Sequence, residues 1–180
     1  MDRRTVLKFV GATVLQSRAE TARSQLLQIS ENPATYQLQF FDADEGQLLD
    51  CLTEMIIPTD DHSPGAHEAK VHAFIDLIVY HSDQSTQQAW NAGLRAVQQE
   101  AVRLFGDSLV KCTSQQREKV MSAMAANEKE PTSELELFFE RLKSLTIDGY
   151  YTSAIGIHED LQYQGNKPQL KFLGCMHDDH

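Results

Sequence analysis

The sequence predicts an all-α fold, a small helical bundle of about five helices followed by a long irregular C-terminal arm. Three observations predict it. Apolar residues recur at spacings of three and four along successive segments between residues 41 and 148, which is the spacing of one helix face. Several of these segments begin after a helix-capping residue or end at a glycine or proline. No segment shows the sustained apolar–polar alternation of a half-buried strand.

The first two predicted helices flank a histidine-rich stretch. Asp42 or Asp44 is the expected N-cap of the first, and Pro58 ends it because the residue before a proline disfavours helical geometry. Its apolar face comprises Leu48, Leu49, Leu52, Met55 and Ile56. The second is predicted to open at Ser63-Pro64, with serine as N-cap and proline at the first helical position. Its stripe is Val71, Phe74, Ile75 and Ile78.

Three further helices complete the predicted bundle. One runs from about Ser85 to Phe105, with Gly106 as its C-cap. The next begins at a capping box from Thr113 to Gln116. Thr132 or Ser133 caps the fifth, which is expected to end at Gly149. The apolar faces of these helices are Trp90, Leu94, Val97, Ala101 and Leu104; Val120, Met121 and Met124; and Leu135, Phe138, Phe139, Leu142 and Leu145.

Length and charge narrow the class of protein. At 180 residues the chain fits one domain with a core of its own. Its net charge of −10 argues against nucleic acid as a partner, because phosphate contact needs clustered Lys and Arg. No apolar run approaches the ~18 residues that a membrane span requires.

The N-terminus has the features of an export signal. Arg3, Arg4 and Lys8 precede an apolar stretch at residues 9–15, and the hexamer RRTVLK resembles the twin-arginine motif. We therefore interpret residues 1–19 as a leader and residues 20–40 as a tether, and expect a periplasmic protein. An ordinary amphipathic N-terminal helix is the alternative.

The stretch IIPTDDHSPGAHEAKVHAFID holds His62, His67 and His72. Its HEAKVH segment has one residue more than the helical zinc motif HExxH. On a regular helix, residues five apart lie about 140° apart, so both imidazoles cannot reach one ion. We therefore expect the stretch to separate two helices. A stand-alone helical metal-binding protein using these three histidines is the alternative function.

No motif for catalysis or cofactor binding is present. The sequence lacks a G-x-S-x-G elbow, a GxGxxG loop, a phosphate-binding loop and a CxxC pair. Its cysteines are Cys51, Cys112 and Cys175, an odd number. We expect no catalytic residue, cofactor or metal in this chain.

Four stretches carry a resemblance to a known family: LLDCLTEMIIPTDDHSPGAHEAKVHAFID, FFERLKSLTIDGYYTSAIGI, LQYQGN and FLGCMHDDH. Together they resemble subunit 3 of gluconate 2-dehydrogenase, the small subunit of bacterial flavin-dependent sugar dehydrogenase complexes. The resemblance implies a non-catalytic partner of a large FAD-containing flavoprotein of the glucose-methanol-choline type. A cytochrome c subunit often accompanies such complexes as electron acceptor. The small subunit carries the export signal for the folded flavoprotein, and membrane association would arise only through the complex.

The resemblance implies that the irregular arm, residues 149–180, binds the large subunit. Tyr150, Tyr151, Tyr163 and Phe172 are its expected anchors, because aromatic residues dominate interface energetics. Cys175 is the candidate for an intersubunit disulfide. A free or intrachain thiol is the alternative for this cysteine.

Overall fold

The computed structural model describes residues 36–165 and shows an all-α bundle. Its α-helices are α1 (Ala43–Ile56), α2 (Val71–Tyr80), α3 (Gln84–Phe105), α4 (Ser114–Met124) and α5 (Glu134–Tyr151). A 3₁₀ turn, Leu109–Lys111, precedes α4, and a π-helical turn, Gly156–Asp160, follows α5. Residues 36–165 contain no β-strand, so the predicted fold class is confirmed. In that part of the chain no helix combines the length and apolarity needed to cross a membrane.

Local capping chemistry sets most helix ends where the sequence predicts them. The Asp42 side chain accepts a hydrogen bond from the Glu45 amide at the start of α1. Thr113 and Ser133 begin α4 and α5 with complete capping boxes. Gly106 ends α3 in the left-handed conformation, with a φ of 75°. Each cap satisfies backbone groups that the helix itself leaves unpaired.

Helix α5 is the centre of the bundle, because it packs against each of the other four α-helices. Its Phe138 ring meets Trp90 of α3 edge-to-face, with 5.3 Å between ring centroids. Gly93 lets the two helices approach, since a Cβ there would lie 2.0 Å from Phe138 Cδ2. The contact between α3 and α5, called the seam below, is therefore formed by Gly93 and Trp90 facing the ring of Phe138.

The segment that leads into α1 is held by one buried carboxylate. Asp76 of α2 has no exposed surface. Its Oδ2 accepts hydrogen bonds from the Tyr36 hydroxyl and the Gln39 amide, both at 2.7 Å. Its Oδ1 accepts from the amides of Phe40 and Phe41, at 3.0 and 2.9 Å. The end of the predicted tether is thus part of the folded domain.

Two predicted helix boundaries differ from the structure. The second helix begins at Val71 rather than at Ser63-Pro64, and its N-cap Lys70 is left-handed with a φ of 55°. Residues 57–70 form a loop instead, called the histidine loop below. Helix α5 continues to Tyr151, two residues beyond the predicted end at Gly149. The first residues of the predicted arm are therefore helical.

Candidate functional site

The histidine loop is fixed to α1 by Glu54. One carboxylate oxygen of Glu54 accepts a hydrogen bond from the Thr59 amide at 2.9 Å, and the other accepts from the His67 amide at 2.8 Å. Gly65 lies so close to this clamp that a Cβ would fall 2.4 Å from the Thr59 nitrogen. The amides of Thr59 and His67 already have hydrogen-bond acceptors on α1. A helix beginning at Ser63-Pro64 is therefore not required to satisfy them.

Asp50, one turn before Glu54 on α1, brings two of the histidines together. Its Oδ2 lies 2.6 Å from His67 Nδ1, and its Oδ1 lies 2.8 Å from His72 Nδ1. The second contact is within ion-pair distance. The prediction that His67 and His72 diverge is therefore wrong: it assumed a regular helix, whereas residues 66–70 turn irregularly.

The pKa of Asp50 reflects its contacts with the two histidines. Burial alone would raise the pKa of a carboxyl, but His72 and His67 outweigh it and hold the Asp50 pKa below its ordinary value. The carboxylate is therefore ionised at neutral pH and can hold both rings in place.

The other side of the histidine loop is fixed to the C-terminal end of α5. The Tyr150 hydroxyl donates to the Pro64 carbonyl at 2.7 Å and lies 3.0 Å from Ser63 Oγ. His62 Nε2 lies 3.0 Å from the Asp160 carbonyl oxygen. The end of α5 and the π-helical turn thus fold against the chain's own loop.

The predicted anchors divide into three groups. Tyr150 is only 1% exposed, so it serves the chain's own core and is not a surface anchor. Tyr151 and Tyr163 are 40% and 50% exposed. Phe172 and Cys175 lie outside the described residues, as do Arg3, Arg4 and Lys8 of the predicted export signal.

A cleft of about 760 Å³ lies beside the histidine loop, between α1 and α4. Its lining includes Asp50, Cys51, Glu54, Met55, His67, Val110, Ser114, Arg117 and Met121. Arg117 donates to the carbonyls of Leu109 and Val110, which secures the 3₁₀ turn at one edge of the cleft. The lining therefore mixes apolar side chains with charges of both signs.

The three histidines do not form a metal centre. His62 contacts Asp160, whereas His67 and His72 contact Asp50. Among residues 36–165, no group of three or more His, Cys, Asp or Glu side chains is placed to hold a metal ion. The metal-binding alternative therefore loses the ligand set on which it depended.

Fold and site together define an all-α bundle with a loop clamped between α1 and α5. The sequence model described as Gluconate 2-dehydrogenase subunit 3 matches residues 43–168, and the chain belongs to this family of dehydrogenase-complex subunits. No curated protein and no solved structure matches the chain.

Proposed function

We propose that this protein is the non-catalytic small subunit of a flavin-dependent sugar dehydrogenase, which assembles with, stabilises and helps to export the large flavoprotein. Membership of the subunit 3 family supports a partner that carries the catalytic machinery. In this proposal the partner is of the glucose-methanol-choline type and holds the FAD. A cytochrome c subunit would accept its electrons.

The observation that carries the proposal is a set of exposed apolar side chains on the last turns of α5 and in the segment that follows it, called the C-terminal patch below. It comprises Ile147, Tyr151, Leu161 and Tyr163, which are 39%, 40%, 58% and 50% exposed. Ile147 and Tyr151 are four residues apart on α5 and so share one face. Clustered exposed apolar side chains are typical of protein-interaction sites.

The clamped loop holds this patch in place. Asp160, which directly precedes Leu161, contacts both Ser63 and His62 of the histidine loop. Burial and then a hydrogen bond to Asp160 raise the pKa of Tyr151, which links the tyrosine to the same cluster. A surface that is ordered before binding loses less entropy on association. The histidine loop would thus act as a scaffold for docking.

The binding experiment uses the full chain, tagged and co-expressed with a large flavoprotein of the glucose-methanol-choline type. The FAD absorbance and sugar dehydrogenase activity retained with the tag measure assembly. Tyr151→Ala and Tyr163→Ala should each weaken the complex, by roughly 30-fold at a hot-spot position. Tyr80→Ala is the matched control, because Tyr80 is 46% exposed on α2. Retention unchanged in both patch variants would contradict the docking surface.

The export experiment tests the leader separately. Arg3→Lys with Arg4→Lys should leave both the chain and the flavoprotein in the cytoplasm, whereas Arg18→Lys, outside the motif, should not. Immunoblots of periplasmic and cytoplasmic fractions provide the measurement. Periplasmic flavoprotein in the twin-lysine variant would contradict the role in export.

The covalent part of the proposal is a disulfide from Cys175 to the large subunit. A non-reducing gel of the purified complex should show a single heavier band, which reduction splits in two. Two bands without reductant would contradict this bond.

A further inference from the structure

Cys51 lines the cleft, and Cys112 lies in sequence between two residues that line it; both are free thiols in the structure. Cys51 is on α1, and Cys112 directly follows the 3₁₀ turn Leu109–Lys111, which packs against α1. Val110 and Ser114, on either side of Cys112 in the sequence, line the cleft together with Cys51. The segments that carry the two thiols therefore pack together in the fold, although two helices, α2 and α3, separate them in the sequence.

We propose that Cys51 and Cys112 form an intrachain disulfide that joins α1 to the start of α4. The bond would account for two of the three cysteines and leave Cys175 for the large subunit. It depends on the proposed function in one respect, since export would supply the oxidising compartment in which such bonds persist.

The oxidant is the disulfide of a thiol–disulfide oxidoreductase, or glutathione disulfide in solution. Cys51 is partly exposed and Cys112 is buried, so the Cys51 thiolate attacks the oxidant first and one thiolate of the oxidant leaves. The Cys112 thiolate then attacks Sγ of Cys51, and the second oxidant thiolate leaves. Two S–H bonds of the chain become one S–S bond, and their protons end on the two thiols of the reduced oxidant.

The surroundings of Cys51 suit a structural bond rather than a reactive thiol. Burial raises the pKa of Cys51; Arg117 lowers it, while Asp50 and Cys112 raise it further. The influence of Cys112 on this pKa agrees with the proximity of the two thiols. Because the thiolate fraction of Cys51 is small at neutral pH, the rate of oxidation should rise with pH.

The bond would enclose α2 and α3 in a covalent loop and restrict the unfolded chain. A disulfide that closes a long loop stabilises the folded chain mainly by reducing the entropy of the unfolded one. For a domain of this size the oxidised chain should therefore melt roughly 5–10 °C above the reduced chain.

The test uses the full-length chain with Cys175→Ser, which retains only the two cysteines of interest. The purified protein is equilibrated with glutathione disulfide, denatured without reductant, treated with a maleimide and weighed by mass spectrometry. We expect no maleimide addition before reduction, two additions after it, and a linked pair of peptides containing Cys51 and Cys112. Two reactive thiols, stable glutathione adducts or disulfide-linked dimers would overturn the proposal.

Cys51→Ser with Cys175→Ser is the matched control, because it retains Cys112 alone. It should lose the temperature shift between oxidised and reduced protein. An equal shift in this control would show that the effect does not come from the bond and would contradict the proposal.

This experiment needs neither export nor the flavoprotein, so its failure is distinct from failure of the proposed function. Chain recovered from the periplasm should contain the same linked peptides. A bond that forms in solution but is missing from cellular protein would contradict export and leave the disulfide assignment intact.

Discussion

Asp76 is a fully buried carboxylate that accepts hydrogen bonds from four donors within residues 36–41. Asp76→Asn would replace one acceptor oxygen with an NH₂ group that faces other donors. Hydrogen bonds to a charged group contribute about 1.5–3 kcal/mol, and buried donors without partners add to the loss. We expect the free energy of unfolding to fall by roughly 3 kcal/mol, as measured by urea denaturation.

Tyr36→Phe is the matched comparison, because it removes one donor and leaves the carboxylate paired with the backbone. Burial, followed by the hydrogen bond to Asp76, raises the pKa of Tyr36, so the hydroxyl remains a donor at neutral pH. The expected loss is about 1 kcal/mol. An Asp76→Asn protein as stable as Tyr36→Phe would show that the backbone contacts contribute little.

Residue types that act within one helical turn could be predicted from the sequence. Asp42, Thr113 and Ser133 each bond to an amide three residues ahead, so the signal lies in adjacent sequence. The role of Asp76 could not be predicted, because its partners lie more than thirty residues earlier. A polar residue in an apolar helix was the one available signal for it.

At the scale of one element, the capping box of α5 predicts how the stability of the fold changes with pH. Glu136 accepts hydrogen bonds from the Ser133 and Thr132 amides and from Asn127, and these lower its pKa from 4.5 to about 2. Since the folded-state pKa is depressed, its contribution to stability is present above about pH 4.5 and is lost as the pH falls toward 2.

Glu136→Gln should therefore lower the melting temperature at neutral pH and flatten its fall between pH 4.5 and 2. Glu134→Gln, an exposed first-turn position of the same helix, removes the same charge without these hydrogen bonds. Melting curves followed by circular dichroism across this pH range compare the melting temperatures of the two variants. Identical pH profiles for the two variants would contradict the assignment.

The histidine loop depends on Tyr150 from a distant helix. Tyr150→Phe removes the hydrogen bonds to Pro64 and Ser63 while keeping the buried ring. The loop should open more readily, by about 1–2 kcal/mol, with faster hydrogen exchange at the Asp60 and Ala66 amides. The exposed Tyr80→Phe should leave both amides unchanged, and unchanged exchange in Tyr150→Phe itself would rule out the clamp.

This loop also shows where sequence reasoning fails. Ser63-Pro64 is a sound local signal for a helix start, but Glu54 and Tyr150 pair with the loop instead and prevent it. The same error placed His67 and His72 on opposite sides of a regular helix, although both meet Asp50. The contacts span 13 residues from Glu54 to His67 and 86 residues from Tyr150 to Pro64, so no periodicity in the sequence could reveal the clamp.

At the scale of the whole molecule, the bundle depends on how closely α3 and α5 approach. A Cβ at Gly93 would lie 2.0 Å from Cδ2 and 2.8 Å from Cβ of Phe138, a ring that Trp90 also contacts from the side. The gain in helix propensity from Gly to Ala is about 1 kcal/mol, whereas overpacking a core costs typically about 1–3 kcal/mol. The steric cost should exceed the gain because Phe138 has no exposed surface into which it could move.

Gly93→Ala should therefore lower the free energy of unfolding by about 1–2 kcal/mol, measured by urea denaturation of the full chain. Gly46→Ala on α1 is the matched control, because the nearest atom to its added Cβ is the tip of Leu38, outside any helix. That flexible side chain can rotate away, so Gly46→Ala should be neutral or mildly stabilising. If Gly93→Ala were equally well tolerated, α3 and α5 would have to move apart without loss, and the seam would not be the tight contact that organises the bundle.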